Sequence, residues 1–122
     1  MKRKRKKIVG NKAENIAASY LRDNGYKIIL RNYKCKLGEI DLIARDGECL
    51  VFVEVRSRSS QKYGAPEQSI TGAKRKRLQK LAQYYMCREL HKEVFCRFDL
   101  VGIEFDEHEK LLRLNHLVGI NL

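Results

Sequence analysis

The sequence predicts one α/β domain, in which helices flank a mixed sheet in the order α-β-β-β-α-β, with a short strand at the end. Two segments, residues 12–24 and residues 68 or 71 to 90, repeat apolar residues at helical spacing. Residues 38–58 contain two β-rich runs joined by an Asp-Gly pair, which is typical of a hairpin. Residues 97–105 form a strand after the second helix, as a crossover to a parallel neighbour requires.

Composition and charge indicate a basic, ordered protein with a nucleic-acid partner. The net charge is +11, from 26 basic and 15 acidic residues. The run KRKRKK at positions 2–7 supplies six of those charges, so residues 1–9 are interpreted as a flexible basic arm on a single domain, residues 10–122. A pI near 9.7 with clustered Lys and Arg fits phosphate binding, although a generically basic cytosolic protein is an alternative.

Other classes of protein have little support in the sequence. No C-x-x-C occurs, so zinc-knuckle and thioredoxin-like functions are disfavoured, and the four cysteines are expected to be free, buried thiols. No secretory signal and no apolar run of membrane-spanning length is visible. We therefore expect a cytoplasmic protein with no membrane partner.

Glu14, in the first helical segment, has two interpretations. Asn11-x-x-Glu14 has the spacing of a capping box, in which the carboxylate serves the start of the helix. On a helical wheel, however, Glu14 also lies at the edge of the apolar stripe and could lean toward the sheet. Gly25 is expected to end this helix in a left-handed conformation.

The hairpin carries charged side chains within an otherwise apolar run. With Asp46 and Gly47 as a two-residue turn, Asp41 lies opposite Phe52 and diagonal to Glu54, roughly 7–8 Å away at the backbone. Strand alternation then gathers several charged side chains on one face of the sheet. The residues on that face are Glu39, Asp41, Phe52, Glu54 and Arg56.

Two facing carboxylates repel each other unless a proton or a cation lies between them. Asp41 and Glu54 are therefore candidate ligands for a hard divalent cation, Mg²⁺ or Mn²⁺, which prefers oxygen ligands. The geometry predicts a metal site.

Several basic residues are candidates for nucleic-acid binding. Four consecutive cations begin the second helix, where the helix dipole is already positive, so an anion is expected nearby. A solvated helix face is the alternative, and the polar loop of residues 57–66 could either follow a substrate backbone or simply connect two elements. The candidates are Arg58, Lys74, Arg75, Lys76, Arg77 and Lys80.

The run GEIDLIA at residues 38–44, followed by VFVEVR at 51–56, resembles the bacterial family UPF0102 of Holliday junction resolvase-like endonucleases, in the PD-(D/E)xK nuclease superfamily. ENIA at 14–17 and RFDLV at 97–101 extend the resemblance over most of the chain. It implies a restriction-endonuclease-like core and a metal-dependent endonuclease acting on DNA, with branched DNA as one candidate substrate and a homodimer as the assembly.

The resemblance also implies the roles of the site residues. It implies that Glu14, Asp41 and Glu54 hold the metal, and that the catalytic set is Glu14, Asp41, Glu54 and Arg56. The superfamily usually has Lys where this chain has Arg56. Arginine stays protonated and cannot act as a general base, but it can clamp a phosphate.

Several alternatives for the site, the substrate and the function remain open at this point. Arg56 could form only an on-strand ion pair with Glu54, and the domain could be a non-catalytic nucleic-acid-binding module with a relict site. Branched, single-stranded and duplex DNA are not distinguished. A scaffold for protein partners is supported only by an acidic cluster at Glu104, Asp106, Glu107 and Glu109.

Overall fold

The structure, a computed structural model, describes residues 2–59 and 70–120, with side chains from residue 10 onward. A helix and three strands come first, followed by a second helix and two strands. The elements are α1 (Lys2–Asp23), β1 (Lys27–Cys35), β2 (Gly38–Asp46), β3 (Cys49–Arg58), α2 (Gly72–Tyr85), β4 (Cys96–Phe105) and β5 (Leu111–Leu117). A π-helical turn, Met86–Leu90, continues α2.

The five strands form one mixed sheet in the order β1-β2-β3-β4-β5. Strands β3 and β4 are parallel, and the other neighbouring pairs are antiparallel. The predicted α/β class, element order and parallel crossover are confirmed. The arrangement is compatible with a restriction-endonuclease-like core.

The two helices cover opposite faces of the sheet. Because successive strand residues point to opposite faces, β2 and β3 contribute to both apolar layers. The layer against α1 includes Ala13, Ala17, Leu21, Leu42, Ala44, Val51 and Val53. The layer against α2 includes Ile40, Ile43, Leu50, Phe52, Leu78 and Leu81.

The first helix begins earlier than the sequence predicted. It begins at Lys2 rather than at residue 12, so Asn11 and Glu14 lie inside α1 and the capping-box interpretation of Glu14 is wrong. Gly25 follows the helix with a φ of 89°, as predicted. The backbone of the basic segment continues α1, and its flexibility stays a prediction.

The register of the β2–β3 hairpin also differs from the prediction. Asp46 pairs with Cys49, so the turn residues are Gly47 and Glu48, and Gly47 takes the positive φ, 60°, at the first turn position. Phe52 consequently pairs with Ile43 and not with Asp41. Because the pairing moves by two positions, an even number, the predicted parity of the two strands is kept in the paired region.

Three further expectations can be compared with the structure. Strand β3 extends to Arg58, and most of the predicted loop of residues 57–66 lies outside the described residues. The cysteines are free, but Cys87 is exposed, so the expectation that all are buried is wrong. No helix in the described segments has the length and apolar composition of a membrane span.

A buried polar network ties β4 to the C-terminal segment. Asp99 is 0% exposed, and its Oδ1 accepts hydrogen bonds from Arg97 Nε at 3.0 Å and Gly119 N at 3.0 Å. Its Oδ2 lies 2.8 Å from His116 Nε2 and accepts from the Tyr26 hydroxyl at 3.3 Å. Burial alone would raise the pKa of Asp99, but the hydrogen bonds from Arg97, Gly119 and His116 outweigh burial and lower it.

We expect Asp99→Asn to lower the free energy of unfolding by about 3 kcal/mol, because Arg97 loses one of the two carboxylate partners that the structure describes for it, keeping Asp46, and the polar groups around the buried Asp99 side chain lose their charged acceptor. The lowered pKa means that the carboxylate stabilises the fold above its unfolded pKa and loses that effect as the pH falls. The difference between the two proteins should therefore narrow below about pH 4. Urea unfolding between pH 3 and 8 measures both effects.

Glu107→Gln provides the control for this experiment, since Glu107 is an exposed carboxylate beside His108. Its effect should be below about 0.5 kcal/mol. An Asp99→Asn protein as stable as the control variant at pH 7 would contradict the stabilising role of the network.

Candidate functional site

The predicted carboxylates line a cavity between the sheet and the first turn of α2. Its volume is about 250 Å³. Asp41 comes from β2 and Glu54 from β3, at the ends of these strands remote from their shared turn. The lining residues are Gly38, Glu39, Asp41, Glu54, Lys74, Arg77 and Leu78.

A local break in the sheet positions Asp41. The regular β2–β3 pairing ends at Leu42 and Val53, and the Val55 N–H donates to Asp41 Oδ2 at 2.8 Å. Ile40 and Leu42, two residues apart, nevertheless pack in different core layers, so strand alternation fails at Asp41. The carboxylate therefore replaces a backbone partner of β3 and opens the sheet at this point.

The electrostatic environment of Asp41 disfavours its ionised form. Burial, and then the neighbouring charge of Glu54, raise the pKa of Asp41 to about 7. The hydrogen bond from the Val55 N–H opposes this rise, whereas Glu14 and Glu39 add to it. A carboxylate in this condition gains from a nearby cation.

Glu54 is 7% exposed, and two cationic side chains form ion pairs with its carboxylate. Lys74 Nζ lies 2.6 Å from Glu54 Oε1, and Arg56 Nε lies 3.4 Å from the same oxygen. Arg56 Nε is buried and makes no hydrogen bond within the described residues, so the on-strand pair is the weaker of the two contacts. The close partner of Glu54 comes from α2.

Glu14 reaches the same region from the opposite layer. Its Oε1 is buried and has no hydrogen-bond partner among the residues that the structure describes. Arg31 Nη2 lies 3.8 Å away but donates its hydrogen bond to Asn15 Oδ1 at 2.7 Å. Since Glu14 also raises the pKa of Asp41, the two carboxylates interact electrostatically.

Gly38 begins β2 in a backbone conformation that favours glycine. Its φ is +136°, a conformation that side-chain-bearing residues rarely adopt. An added Cβ would lie 3.5 Å from Arg77 Cδ and 3.5 Å from Leu81 Cδ1, which is ordinary van der Waals contact. The backbone conformation, and not a lack of space beside α2, therefore favours glycine at this position.

The other predicted nucleic-acid-binding residues occupy four environments. Arg58 Nη2 lies 2.8 Å from Glu104 Oε1, so this arginine is held in an ion pair within the fold. Lys76 and Lys80 are exposed on α2. Arg75 is half-buried in the first turn of α2, and Arg77 lines the cavity.

The acidic cluster that the sequence indicated is smaller at the surface than expected. Glu104 is buried, so it does not belong to an acidic surface patch.

The donor chemistry suits a hard divalent cation, although the residues that the structure describes do not provide a complete set of ligands. Within residues 2–59 and 70–120, no three Cys, His, Asp or Glu side chains converge as a ready-made metal site. Asp41 and Glu54 supply oxygen donors, and Glu14 adds a buried oxygen without a hydrogen-bond partner. Oxygen donors of this kind are what Mg²⁺ and Mn²⁺ prefer.

Comparison with known proteins identifies the family. The profile described as "Uncharacterised protein family UPF0102" matches residues 13–103. The chain belongs to the UPF0102 family. A UPF0102 protein of Moorella thermoacetica is 44% identical over 98% of this chain and 97% of the relative. A second, of Pelotomaculum thermopropionicum, is 43% identical over 91% and 92%, and a third, of Symbiobacterium thermophilum, is 48% identical over 79% and 81%.

Two features of this UPF0102 protein were not predicted from the sequence. Lys74 was expected to contact phosphate, and nothing in its spacing indicates the contact with Glu54. No sequence motif singles out His116, yet it lies between Asp99 and the Tyr20 hydroxyl, which is 3.1 Å from His116 Nδ1. The unfavourable run of cations at the start of α2 was the available signal for Lys74, because it required a nearby anion.

We expect Asp41→Asn to remove a pH-dependent loss of stability. Because the pKa of Asp41 in the folded protein is about 7, above its unfolded value, the folded state binds more protons between about pH 4 and 7. The contribution of Asp41 to stability therefore falls as the pH rises through this window and levels off above it. The fall amounts to a few kcal/mol at most, since one pKa unit corresponds to about 1.4 kcal/mol.

Urea unfolding of both proteins from pH 4 to 8, without divalent cations, measures this difference. The variant should gain stability relative to the wild type as the pH rises. Glu48→Gln, which removes an exposed carboxylate from the turn of the same hairpin, should follow the wild-type profile. Parallel profiles for Asp41→Asn and the wild type would contradict the raised pKa.

Proposed function

We propose that this UPF0102 protein is a metal-dependent endonuclease that hydrolyses DNA phosphodiester bonds with Mg²⁺ or Mn²⁺, with branched DNA as one candidate substrate. The observation that carries the proposal is the Asp41–Glu54 pair, which lines a small cavity where burial, and then repulsion from Glu54, raise the pKa of Asp41 to about 7. A pair this unfavourable has a physical reason to persist if a cation binds there.

Asp41 and Glu54 would hold the cation, with Glu14 in support. The Val55 N–H fixes Asp41 Oδ2, which directs the use of Oδ1 toward a ligand. Both protein cations near Glu54 contact Oε1, so Oε2 is the oxygen more available to a metal ion. When bound, a divalent cation lowers the pKa of water and stabilises negative charge on phosphoryl oxygens.

The reaction is the addition of water across one phosphorus–oxygen bond. The water oxygen bonds to phosphorus, the bond to one bridging oxygen breaks, and a proton from the water ends on that leaving oxygen. Asp41 and Glu54 contribute by holding their oxygens in a fixed geometry before the substrate arrives, which avoids reorganisation during the reaction. Arg56 contributes positive charge beside the site and can donate to a phosphate.

Charge outside the cavity supports DNA as the substrate. Lys76 and Lys80 are exposed on α2, and Arg77, on the same helix, lines the cavity. The net charge of +11 favours association with a polyanion. Because phosphate contacts release counterions, binding should weaken steeply with salt.

The first experiment is cleavage of labelled four-way junction, single-stranded and linear duplex DNA with Mg²⁺ or Mn²⁺. We expect the wild type to cut at least one of these DNAs, and we expect Asp41→Asn and Glu54→Gln to lose at least about a hundredfold in rate, because both remove charge that holds the cation. Binding of DNA should be retained, since each substitution removes negative charge. EDTA should stop cutting by the wild type.

Glu107→Gln is the matched control, because it removes one exposed carboxylate on the β4–β5 connection and should cut at the wild-type rate. The nuclease proposal fails if the purified wild type binds DNA but cuts none of the three substrates in either metal. It also fails if Asp41→Asn cuts as fast as the wild type.

A non-catalytic nucleic-acid-binding module is the second candidate, and Arg56 is the observation that favours it. A guanidinium cannot accept the proton of an attacking water, so the strand offers no general base at this position. A binding module would bind DNA with a steep salt dependence in all metals, and Asp41→Asn would bind more tightly because carboxylate repulsion is reduced.

We expect Mn²⁺ to stabilise the wild type against thermal unfolding, and more strongly at pH 8 than at pH 6. The proton on Asp41 competes with the cation, and the pKa of about 7 puts that competition between these two values. At a hundred times the dissociation constant, stabilisation should reach about 2.7 kcal/mol. Asp41→Asn should show little stabilisation at either pH, and an equal response of both proteins would argue against the metal site.

A further inference from the structure

We propose that Lys74 is the orienting cation of this site, the group that positions the attacking water and a phosphate oxygen, and that Arg56 has only an outer, phosphate-holding role. The inference rests on the proposed function, since it assigns a residue to the proposed hydrolysis. The sequence of β3 does not indicate this role, because Lys74 comes from a different element, α2.

The two cations differ in their distance from Glu54 and in their exposure. Lys74 Nζ lies 2.6 Å from Oε1, which is a short ionic hydrogen-bond distance, and its side chain is 20% exposed. Arg56 Nε lies 3.4 Å from the same oxygen without a hydrogen bond, and its side chain is 31% exposed. Lys74 lines the cavity that contains Asp41 and Glu54, and Arg56 is not among the described residues that line it.

The fold fixes Lys74 in this position. Its backbone N–H donates to the Thr71 hydroxyl at 3.2 Å, which caps α2, so Lys74 lies in the first turn. Leu78, four residues later on the same helical face, is buried between α2 and the sheet. The face that packs on the core therefore also carries Lys74 over the cavity.

A cation in the first helical turn opposes the helix dipole, so its retention there requires compensation. Glu54 provides that compensation, as their short contact indicates. The position is unfavourable for a lysine that serves only solubility, and it is favourable for one that must remain charged beside a carboxylate pair.

The chemistry of an ammonium group suits this place. It has three N–H donors, and the ion pair with Glu54 engages one of them. The other two can donate to a water and to a non-bridging phosphate oxygen, which orients the pair for attack without any change in the protonation of Lys74. The planar guanidinium of Arg56 suits bidentate contact with a phosphate from a more exposed position.

The test compares single-turnover cleavage and DNA binding by the wild type, Lys74→Ala, Lys74→Gln, Arg56→Ala and the double variant Lys74→Ala with Arg56→Lys. We expect Lys74→Ala and Lys74→Gln to lose at least about a hundredfold in the cleavage rate, as loss of one such donor does in other enzymes. Their DNA dissociation constants should change by less than about threefold, because one phosphate contact carries a small part of the binding free energy. Arg56→Ala should mainly weaken binding.

Lys92→Ala is the charge-matched comparison, because it removes an exposed lysine that lies outside the site and outside the predicted nucleic-acid-binding set. It should leave the single-turnover rate of bound DNA unchanged. The double variant should recover part of the lost rate, since it supplies an ammonium from β3 on the same face as Glu54. A helix-stabilising role for Lys74 predicts no such recovery.

Mn²⁺ binding, followed by calorimetry without DNA, provides a readout that does not depend on activity. Removing a cation from beside Glu54 should leave Mn²⁺ affinity unchanged or tighten it, because like charges no longer compete for the carboxylate. Weaker Mn²⁺ binding by both Lys74 variants would show that Lys74 only holds Glu54 in place, and it would overturn the proposal. Lys74→Gln retains most of the side-chain stem, so it keeps the test valid if Lys74→Ala does not fold.

The nuclease assignment and the role of Lys74 can be overturned separately. Wild-type protein that cuts no DNA in either metal overturns the nuclease assignment and the role of Lys74 with it. Wild-type protein that cuts, together with Lys74 variants that cut within threefold of its rate, overturns the role of Lys74 alone.

Discussion

Two carboxylates held next to each other in the middle of a sheet are the constraint on which this structure depends. Two carboxylates repel each other and would move apart in water, but adjacent strands hold Asp41 and Glu54 in the lining of one cavity. The apolar layers on both faces of β2 and β3 make that possible, because the burial of Leu42 and Phe52 fixes the strands against the repulsion. The raised pKa of Asp41 reflects the free energy stored in this arrangement.

The helices complete the site because each carries both packing and charge. Ala13 and Ala17 allow α1 to lie close to the sheet, and the same helix brings in Glu14. Leu78 packs α2 on the opposite face, and Lys74 one turn earlier meets Glu54. The site therefore lies where both layers and the opened sheet meet, and no single element could form it.

The fold and the site differ in how far the sequence predicts them. Helical periodicity and β-branched runs are local signals, so the element order, the parallel crossover and the shared face of Asp41 and Glu54 were predicted. The exact register was not, because Asp46-Gly47 and Gly47-Glu48 both satisfy local turn preferences and tertiary packing chooses between them. The Lys74–Glu54 contact joins residues twenty positions apart through the packing of a helix, and sequence spacing carries no sign of it.

The charges of the site are compensated before any cation or substrate arrives. Lys74 neutralises Glu54, and near neutral pH a proton neutralises a large share of Asp41. This distinguishes the arrangement from structural metal sites, whose ligands often cannot fold without the metal. In the proposed function, a divalent cation would displace the proton of Asp41 and share Glu54 with Lys74. The two carboxylates are held in place by the fold itself, and this is the preorganisation that the proposed hydrolysis would require.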